Sequence, residues 1–489
     1  MQQFQFRSLK LTAYELLLLK LLYNKSTHNY LLTYYIECNM IVHMFNRKII
    51  EYLKEWSRRD GRKPLVMRGA RQVGKTSAVL ILAEKCFKSI IHINLEKAEH
   101  SRLFRNEISL DEFLMVIQAE FKQAVVAGET LIFIDEIQNS PYLIKLLRFF
   151  YEERPDLHVI AAGSLLEAKI EKEGFSFPVG RIEFCYIYPL DFFEYLEAKN
   201  ETELLRILRE IKLDQTIPTP IHEMALKIFY EYAMIGGMPE IVSDYTKNKD
   251  INRVKTLFAS LLTGYMEDVF KYASQAEAKY LSYIIETAPL FAGTHITYEK
   301  FGGSNFRSRE MSKAFSLLEK TMLLYQVRST QSKDLPLIPK EKKAKKLIYL
   351  DIGLVNYRMN IINEYLGIVD FDKFYQGRLA EQIAAQNLLS LFVDVPAEIF
   401  YWARDKGEGN AKVDFCINYA GQALGIEVKS GKTGRLKSLA IFSGQNPKSR
   451  LMRVYSGKLI QENIQKSKLL SLPFYLLPRL LEFADTRNT

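Results

Sequence analysis

The sequence predicts an α/β chain of several domains led by a doubly wound parallel sheet, and three observations carry that prediction. Five short apolar runs alternate with helical stretches between residues 65 and 190. A glycine-rich turn joins the first of these runs to a helix. Near the other end, "VDFCINYAGQALGIEVKSG" (Val413 to Gly431) alternates apolar and polar residues about a tight turn, as a hairpin does.

The chain has 489 residues, 48% hydrophobic and 25% charged, a soluble composition too long for one core. Its punctuation divides 1–43 as an extension, 44–212 as the first α/β core, 213–283 as a helical lid, 284–346 as a winged-helix-like segment, 347–475 as a second α/β domain and 476–489 as a tail. In "MFNRKIIEYLKEW", from Met44, the residues Ile49, Ile50, Leu53 and Trp56 recur at helical spacing, so 1–43 is expected to be a dispensable extension or an over-called start. Leu16 to Leu22 and Tyr30 to Val42 are apolar, but Glu15, Lys20, Glu37 and Asn39 interrupt them short of the about 18 uncharged residues that a span requires. No cleavage pattern follows, and a cytoplasmic protein without membrane contact is expected. Cys38, Cys86, Cys185 and Cys416 lack the paired spacing of a zinc site and read as reduced thiols. A formal charge of +10 favours an acidic partner, DNA among them.

The first apolar run, Leu65 to Met67, leads into "RGARQVGKTS", a complete Walker A between a strand and a helix. Its cradle is Gly69, Ala70, Arg71, Gln72, Val73, Gly74, Lys75, Thr76 and Ser77. Glycines there let backbone N–H groups close on the phosphates of ATP, Lys75 reaches the β and γ oxygens, and Thr76 offers a hydroxyl to Mg²⁺. The run Leu131 to Ile134 then ends in Asp135 and Glu136, as a buried strand delivering carboxylates at its C-terminal edge would. Asp135 is expected in the Mg²⁺ shell and Glu136 as the base that orients and deprotonates the attacking water. "LHVIAAGS" ends in Ser164, where a group sensing the γ-phosphate would sit, and "SIIHINLEK" and "EFCYIYPL" complete the sheet. Arg181 precedes the last strand and is a candidate to reach a phosphate in cis or, in an oligomer, across a subunit boundary.

"RGARQVGKTS", "IFIDEIQN", "AAGSLL", "GRIEFCYIYPLDFFEYL" and "GGMPEIV" together resemble a large prokaryotic family of AAA-type ATPases in the additional-strand catalytic-glutamate division of P-loop NTPases. The resemblance runs from about Met44 to Tyr475 and implies a C-terminal domain of unassigned function similar to PD-(D/E)XK nucleases.

"LDQTIPTPIHE" reads as a linker, after which two long helical patterns, with Gly236, Gly237 and Pro239 as punctuation between helices, form the lid. Between Ile284 and Val327 the pattern is helix, turn, helix, and the second helix carries Met311, Phe315, Leu318 and Met322 as one apolar stripe. A winged helix-turn-helix fits this pattern, and the family resemblance implies it too. Arg307, Arg309, Lys313 and Lys320, with the five lysines of "PKEKKAKK", are candidate phosphate contacts.

Folding the late hairpin at Ala420 and Gly421 sets Asp414 directly across from Glu427. Val413, Phe415, Ile417, Leu424, Ile426 and Val428 then face a core, while Asp414, Glu427 and Lys429 share the other face. Opposed carboxylates repel, and a divalent cation would resolve the conflict. Asp414 and Glu427 are hard ligands for Mg²⁺ or Mn²⁺, which activates water, and Lys429 would position the nucleophile at a phosphodiester. This is the PD-(D/E)XK arrangement, with Val413 in place of the proline. Glu381, on an apolar helix face with Ala384, Ala385 and Leu388, is the matching extra acid and wants a partner. Lys432, Arg435 and Lys437 follow as further phosphate contacts. The expected function is an ATP-binding and ATP-hydrolysing protein that couples nucleotide state to a nucleic-acid-binding, nuclease-like domain. The alternative is an ATP-dependent switch that engages a protein partner and carries an inert nuclease-like scaffold.

Overall fold

A central strand, β1 (Leu65–Arg68), organises the first half of the computed structural model, which describes residues 45–164, 176–332, 335–362, 377–404, 409–431, 436–464 and 467–485. The extension 1–43, Lys432 and Arg435 lie outside these residues. Preceding β1, α1 (Lys48–Arg58) buries Ile49, Ile50, Leu53 and Trp56, the helical stripe that the sequence predicts. After β1, α2 (Lys75–Cys86) starts at Gly74, whose φ of 97° is a left-handed conformation that suits glycine. Next come β2 (Ser89–Asn94), α3 (Leu110–Phe121), β3 (Thr130–Asp135), α4 (Pro141–Glu153), β4 (His158–Gly163) and β5 (Glu183–Tyr186). Ser109 and Glu112 close a reciprocal capping box on α3, and Ser140 with Pro141 starts α4 sharply. All five strands are parallel in the order β2-β3-β4-β1-β5. Both β3 and β4 are buried along their whole length, as near-continuous apolar strands covered by helices on two faces must be.

The lid follows the helix α5 (Phe192–Ala198). It includes α6 (Thr219–Ile235) before the turn at Gly236 and Gly237, a helix at Pro239–Asn248 directly after it, and then α7 (Ile251–Tyr272). Those glycines do more than punctuate helices. A Cβ on Gly236 would lie 2.1 Å from Asp351 Oδ1, and one on Gly237 would lie 2.2 Å from the Leu190 carbonyl. Two other segments therefore pack directly on the turn, and only a residue without a side chain admits them.

Beyond the lid, α8 (Gln275–Thr287) packs on α9 (Ser308–Lys320), and β6 (His295–Ile296) pairs with β9 (Lys345–Tyr349), which also pairs with β7 (Leu324–Thr330). Met311, Phe315 and Leu318 form the buried stripe of α9, joined by Ala314. Met322 falls outside that stripe, because α9 ends at Lys320 and Met322 takes a φ of 60° in the following turn. Arg307, Arg309, Lys313 and Lys320 are exposed.

This segment is continuous with the C-terminal sheet, so a division after residue 346 cuts through β9. The sheet runs β14-β15-β13-β12-β11-β10-β7-β9-β6, with β8 (Pro339–Lys340) paired to β7. Its remaining elements are α10 (Ile352–Arg358), α11 (Arg378–Leu389), β10 (Ile399–Ala403), β11 (Lys412–Tyr419), β12 (Gln422–Val428), α12 (Lys437–Gln445), β13 (Arg450–Tyr455), β14 (Ile460–Ile464) and β15 (Ser467–Pro473). The hairpin has the expected register: Phe415 pairs with Ile426, Cys416 with Gly425 and Tyr419 with Gln422, around Ala420 and Gly421, both at positive φ. Its facing departs from simple alternation. Between Phe400 and Trp402 the β10–β11 register shifts, so Val413 and Cys416 enter the same core beneath Leu439 and Phe442 of α12. Helix α11 packs on β12 from outside that cluster, and β12 is buried from Ala423 to Val428, so the sheet has no single core face.

Asp351 caps α10 through the amides of Gly353 and Leu354 and also accepts from Gly237 N (2.7 Å) and Gln386 Nε2 (3.0 Å). Burial outweighs these four donors and pushes its carboxyl up to about 6, above the ordinary 3.8. For an acid raised on folding, the stabilisation is complete below the unfolded value and is lost as pH rises through the folded one. Relative to Asp351→Asn, which mimics the protonated form, the wild-type protein is expected to lose thermal stability as pH rises from about 4 through about 6 and then level off. A melting-temperature difference that stays constant across that window contradicts the assignment.

Candidate functional site

The parallel sheet aligns the predicted nucleotide residues at one edge because the strands carrying them end together. Arg68 pairs with Gly163, and Asp135 pairs with Ala162. The loop 69–74 leaves β1, Asp135 ends β3, and Ser164 follows β4 between them. Thr76 Oγ1 donates to Asp135 Oδ2 at 2.7 Å. Lys75 is buried, and its Nζ donates to the carbonyls of Gly69 and Ala70, each at 2.9 Å. Burial lowers the pKa of Lys75, opposed by Glu136 and then Asp135. Burial raises that of Glu136, opposed by Lys75, which makes its carboxylate more basic. Glu136 takes a φ of 53° and accepts a hydrogen bond from Gln138 Nε2. A cation shell fits here, since a hydroxyl and a buried carboxylate already converge and are both hard oxygen donors.

Three groups around this loop escape sequence reasoning. Buried Arg47 donates to Val73 O and Tyr188 O, both at 2.6 Å, and pairs with Glu194 at 3.2 Å, so it clamps the loop to α5. It sits just before α1, outside the apolar stripe of that helix. From the lid, Asp268 pairs with Arg71, and Tyr265 donates its hydroxyl to Arg71 O at 3.1 Å. Asp268, Tyr265, Ser164, Ala70 and Arg71 share a cavity of about 40 Å³.

Arg181 stands elsewhere. Because β5 pairs in parallel with β1 from Glu183 beside Leu65, the residue before it lies at the opposite edge of the sheet from the loop after Arg68. Arg181 is exposed, and its Nε donates to Glu152 Oε1 of α4 at 2.7 Å. The expected reach to a phosphate in cis is therefore absent, since the strands separate the two edges, and only a reach between subunits is left.

In the C-terminal sheet, Glu381, Asp414, Glu427 and Lys429 gather as the hairpin requires. Asp414 Oδ2 accepts from Val428 N at 2.9 Å, and Lys429 Nζ donates to Glu427 Oε1 at 2.6 Å. Glu427 is 6% exposed, and its Oε2 is buried without a hydrogen-bond partner. Glu381 finds its partner in Lys346, whose Nζ also donates to Asp414 O at 3.0 Å and lies 3.9 Å from Asp414 Oδ1. Burial, and then the charge of Asp414, push Glu381 and Glu427 each up to about 7. Among the described residues, no three His, Cys, Asp or Glu side chains converge as a ready metal cage.

Lys346 corrects the reading of "PKEKKAKK" as a phosphate-binding cluster. It is buried, Lys343 Nζ donates to Arg404 O at 2.7 Å, and Lys345 pairs with Glu341 at 3.5 Å. Because β9 is buried from Lys346 to Tyr349, it draws Lys346 into the protein, which a count of charges does not reveal.

A family model described as an AAA domain matches residues 61–196. Residues 61–196 form a P-loop AAA-type ATPase domain. Two models described as domains of unknown function match 226–365 and 376–475. No curated protein matches the chain. Among solved structures, it is similar to a Walker-type ATPase of Pyrococcus abyssi at 17% identity, over 64% of this chain and 96% of that one, with a TM-score of 0.42. It is also similar to the RuvB Holliday junction branch migration motor of Thermotoga maritima (16% identity, 61% and 93%, TM-score 0.27). A further match is AMPPCP-bound DnaA from Aquifex aeolicus (13%, 55% and 85%, TM-score 0.24). Among the described residues, no helix is long and apolar enough to cross a membrane.

Replacing Arg47 with methionine leaves Glu194 buried without its charge partner and the Val73 carbonyl without its donor. A loss of about 3 kcal/mol of stability is expected, with weaker binding of a fluorescent ATP analogue, although Arg47 touches only the back of the loop. Unchanged melting and unchanged affinity would contradict the clamp.

Proposed function

We propose that the protein hydrolyses ATP and couples its nucleotide state to a nucleic-acid-binding, nuclease-like site in the C-terminal sheet. One observation carries the coupling. Helix α11 bears Glu381 in the acid cluster at its first turn, and its other end docks on the ATPase side. There Gln386 bonds to Asp351, and Asn387 Oδ1 accepts from Phe192 N at 3.2 Å. Asn387 Nδ2 also reaches the Tyr232 hydroxyl of the lid at 3.3 Å.

In hydrolysis, Lys75 leaves the carbonyls of Gly69 and Ala70 to meet phosphate oxygens. Thr76 and Asp135 would hold Mg²⁺, which would supply charge neutralisation at the phosphates. Glu136, with its raised pKa, orients the attacking water and takes its proton, and Ser164 sits to sense the γ-phosphate. Arg71 exchanges Asp268 for phosphate, which frees the lid helix α7. At the second site, Asp414 and Glu427 are hard ligands for Mg²⁺ or Mn²⁺, and the unpartnered Glu427 Oε2 supports that fit. Lys429 lies beside them to neutralise a phosphodiester. The exposed Arg307, Arg309, Lys313 and Lys320 of the winged-helix-like segment support a DNA contact.

Lys75→Ala is expected to abolish nucleotide binding, and Glu136→Gln to bind ATP while hydrolysing it at least about 100-fold more slowly. Normal turnover in either variant, measured by phosphate release, would overturn the assignment. Incubation of supercoiled and linear DNA with Mg²⁺ or Mn²⁺, with and without ATP, is expected to give cutting that disappears in Asp414→Ala. DNA binding and ATP turnover without any cutting would instead favour a switch that engages a protein partner through an inert scaffold.

A further inference from the structure

We infer that Lys346 is a built-in cation of the acid cluster, which engages Glu381 and one side of Asp414 so that the site takes a single divalent ion, on Asp414 and Glu427, and not a pair. The inference rests on the nuclease-like reading of that cluster and names its metal stoichiometry.

A lysine ammonium that is 2% exposed survives only where its desolvation is offset. Here three groups offset it: the Glu381 carboxylate, the Asp414 carbonyl at 3.0 Å and the Phe415 ring, whose centroid lies 4.6 Å away. Lys346 comes from β9, a strand outside the hairpin, and its backbone is fixed on both sides by pairing with His295 and Val327. The ammonium therefore occupies the space between Glu381 and Asp414 that a second metal ion would need.

At Glu427 the chemistry differs. Lys429 takes only Oε1 of Glu427, while Oε2 is buried and has no partner. Asp414 Oδ2 already accepts the Val428 amide, and Oδ1 is 3.9 Å from Lys346 Nζ, beyond a hydrogen bond. Glu427 Oε2 and Asp414 Oδ1 are thus the acceptors with capacity to spare. Three carboxylates facing two ammoniums leave the cluster with one net negative charge when all are ionised. One divalent ion turns that to a single positive charge, which matches the single negative charge of a phosphodiester. Two ions would leave an excess that the buried site has no groups to balance.

Mn²⁺ binding to the full chain without nucleotide, measured by titration calorimetry and by electron paramagnetic resonance, tests this. The wild-type protein is expected to bind one Mn²⁺ that is lost in Asp414→Ala, so the difference between the two counts this site alone. Lys346→Met is expected to gain a second Mn²⁺ or to bind the first about tenfold more tightly, because a neighbouring positive charge has gone. Lys346→Arg, which keeps the charge, retains one. The double variant Lys346→Met with Glu381→Gln removes the ion pair as a unit, a gentler change than stranding one partner, and is expected to keep one Mn²⁺ within about threefold of wild-type affinity. Two Mn²⁺ in the wild type, no change in Lys346→Met, or loss of binding in the double variant would overturn the inference. Failure of the wild type to bind any Mn²⁺ that Asp414→Ala removes would overturn the metal reading itself.

Discussion

Asp351 is the constraint on which the rest of the arrangement depends. One fully buried carboxylate receives an amide from the lid turn at Gly237, two amides from the start of α10 and the side chain of Gln386 on α11. Lid, strand end and C-terminal helix are thereby fixed to one point, and Gly236 and Gly237 lack side chains where Asp351 and Leu190 press on the turn. A buried anion held by four donors tolerates little displacement, because each lost donor exposes its charge to a low dielectric. The carboxylate therefore ties the lid turn after α6 to the start of α10 and to α11.

The two candidate sites are built on the same physical conflict and resolve it differently. At the nucleotide site, Glu136 and Lys75 share a buried region, each shifted by burial toward its neutral form and each opposing the other's shift. At the C-terminal site, three acids crowd together, and the sheet supplies Lys346 from a strand distant in sequence. In both, a lysine makes hydrogen bonds within the protein at the place where a ligand is expected. Lys75 is bonded to its own loop, and Lys346 to Glu381 and Asp414.

Much of this was legible in the sequence because it rests on local pattern. The five apolar runs fold as the five parallel strands, of which β3 and β4 are buried on both faces and read as continuous apolar stretches. The hairpin register followed from turn chemistry at Ala420 and Gly421. What escaped depends on which distant residue arrives at a given point. Nothing near Arg47 announces that it will hold Val73, and nothing in "PKEKKAKK" distinguishes Lys346, buried in β9, from exposed Lys340 and Lys342. The bulge against Tyr401 likewise shifts Val413 out of step with Phe415, although the sequence there alternates evenly. Arg181 misses the loop in cis for a topological reason: standing before a strand parallel to β1 puts it at the edge where β1 begins.

In the proposed coupling, nucleotide at the Walker loop is felt at Glu381 through the lid, Asp351 and α11. Hydrogen–deuterium exchange on Glu136→Gln, with and without ATP, tests it most directly, because that variant is expected to hold ATP without consuming it. The account predicts changed protection in residues 69–77 together with α7 and α11. A change confined to residues 69–77, with α11 indifferent to ATP, would contradict it.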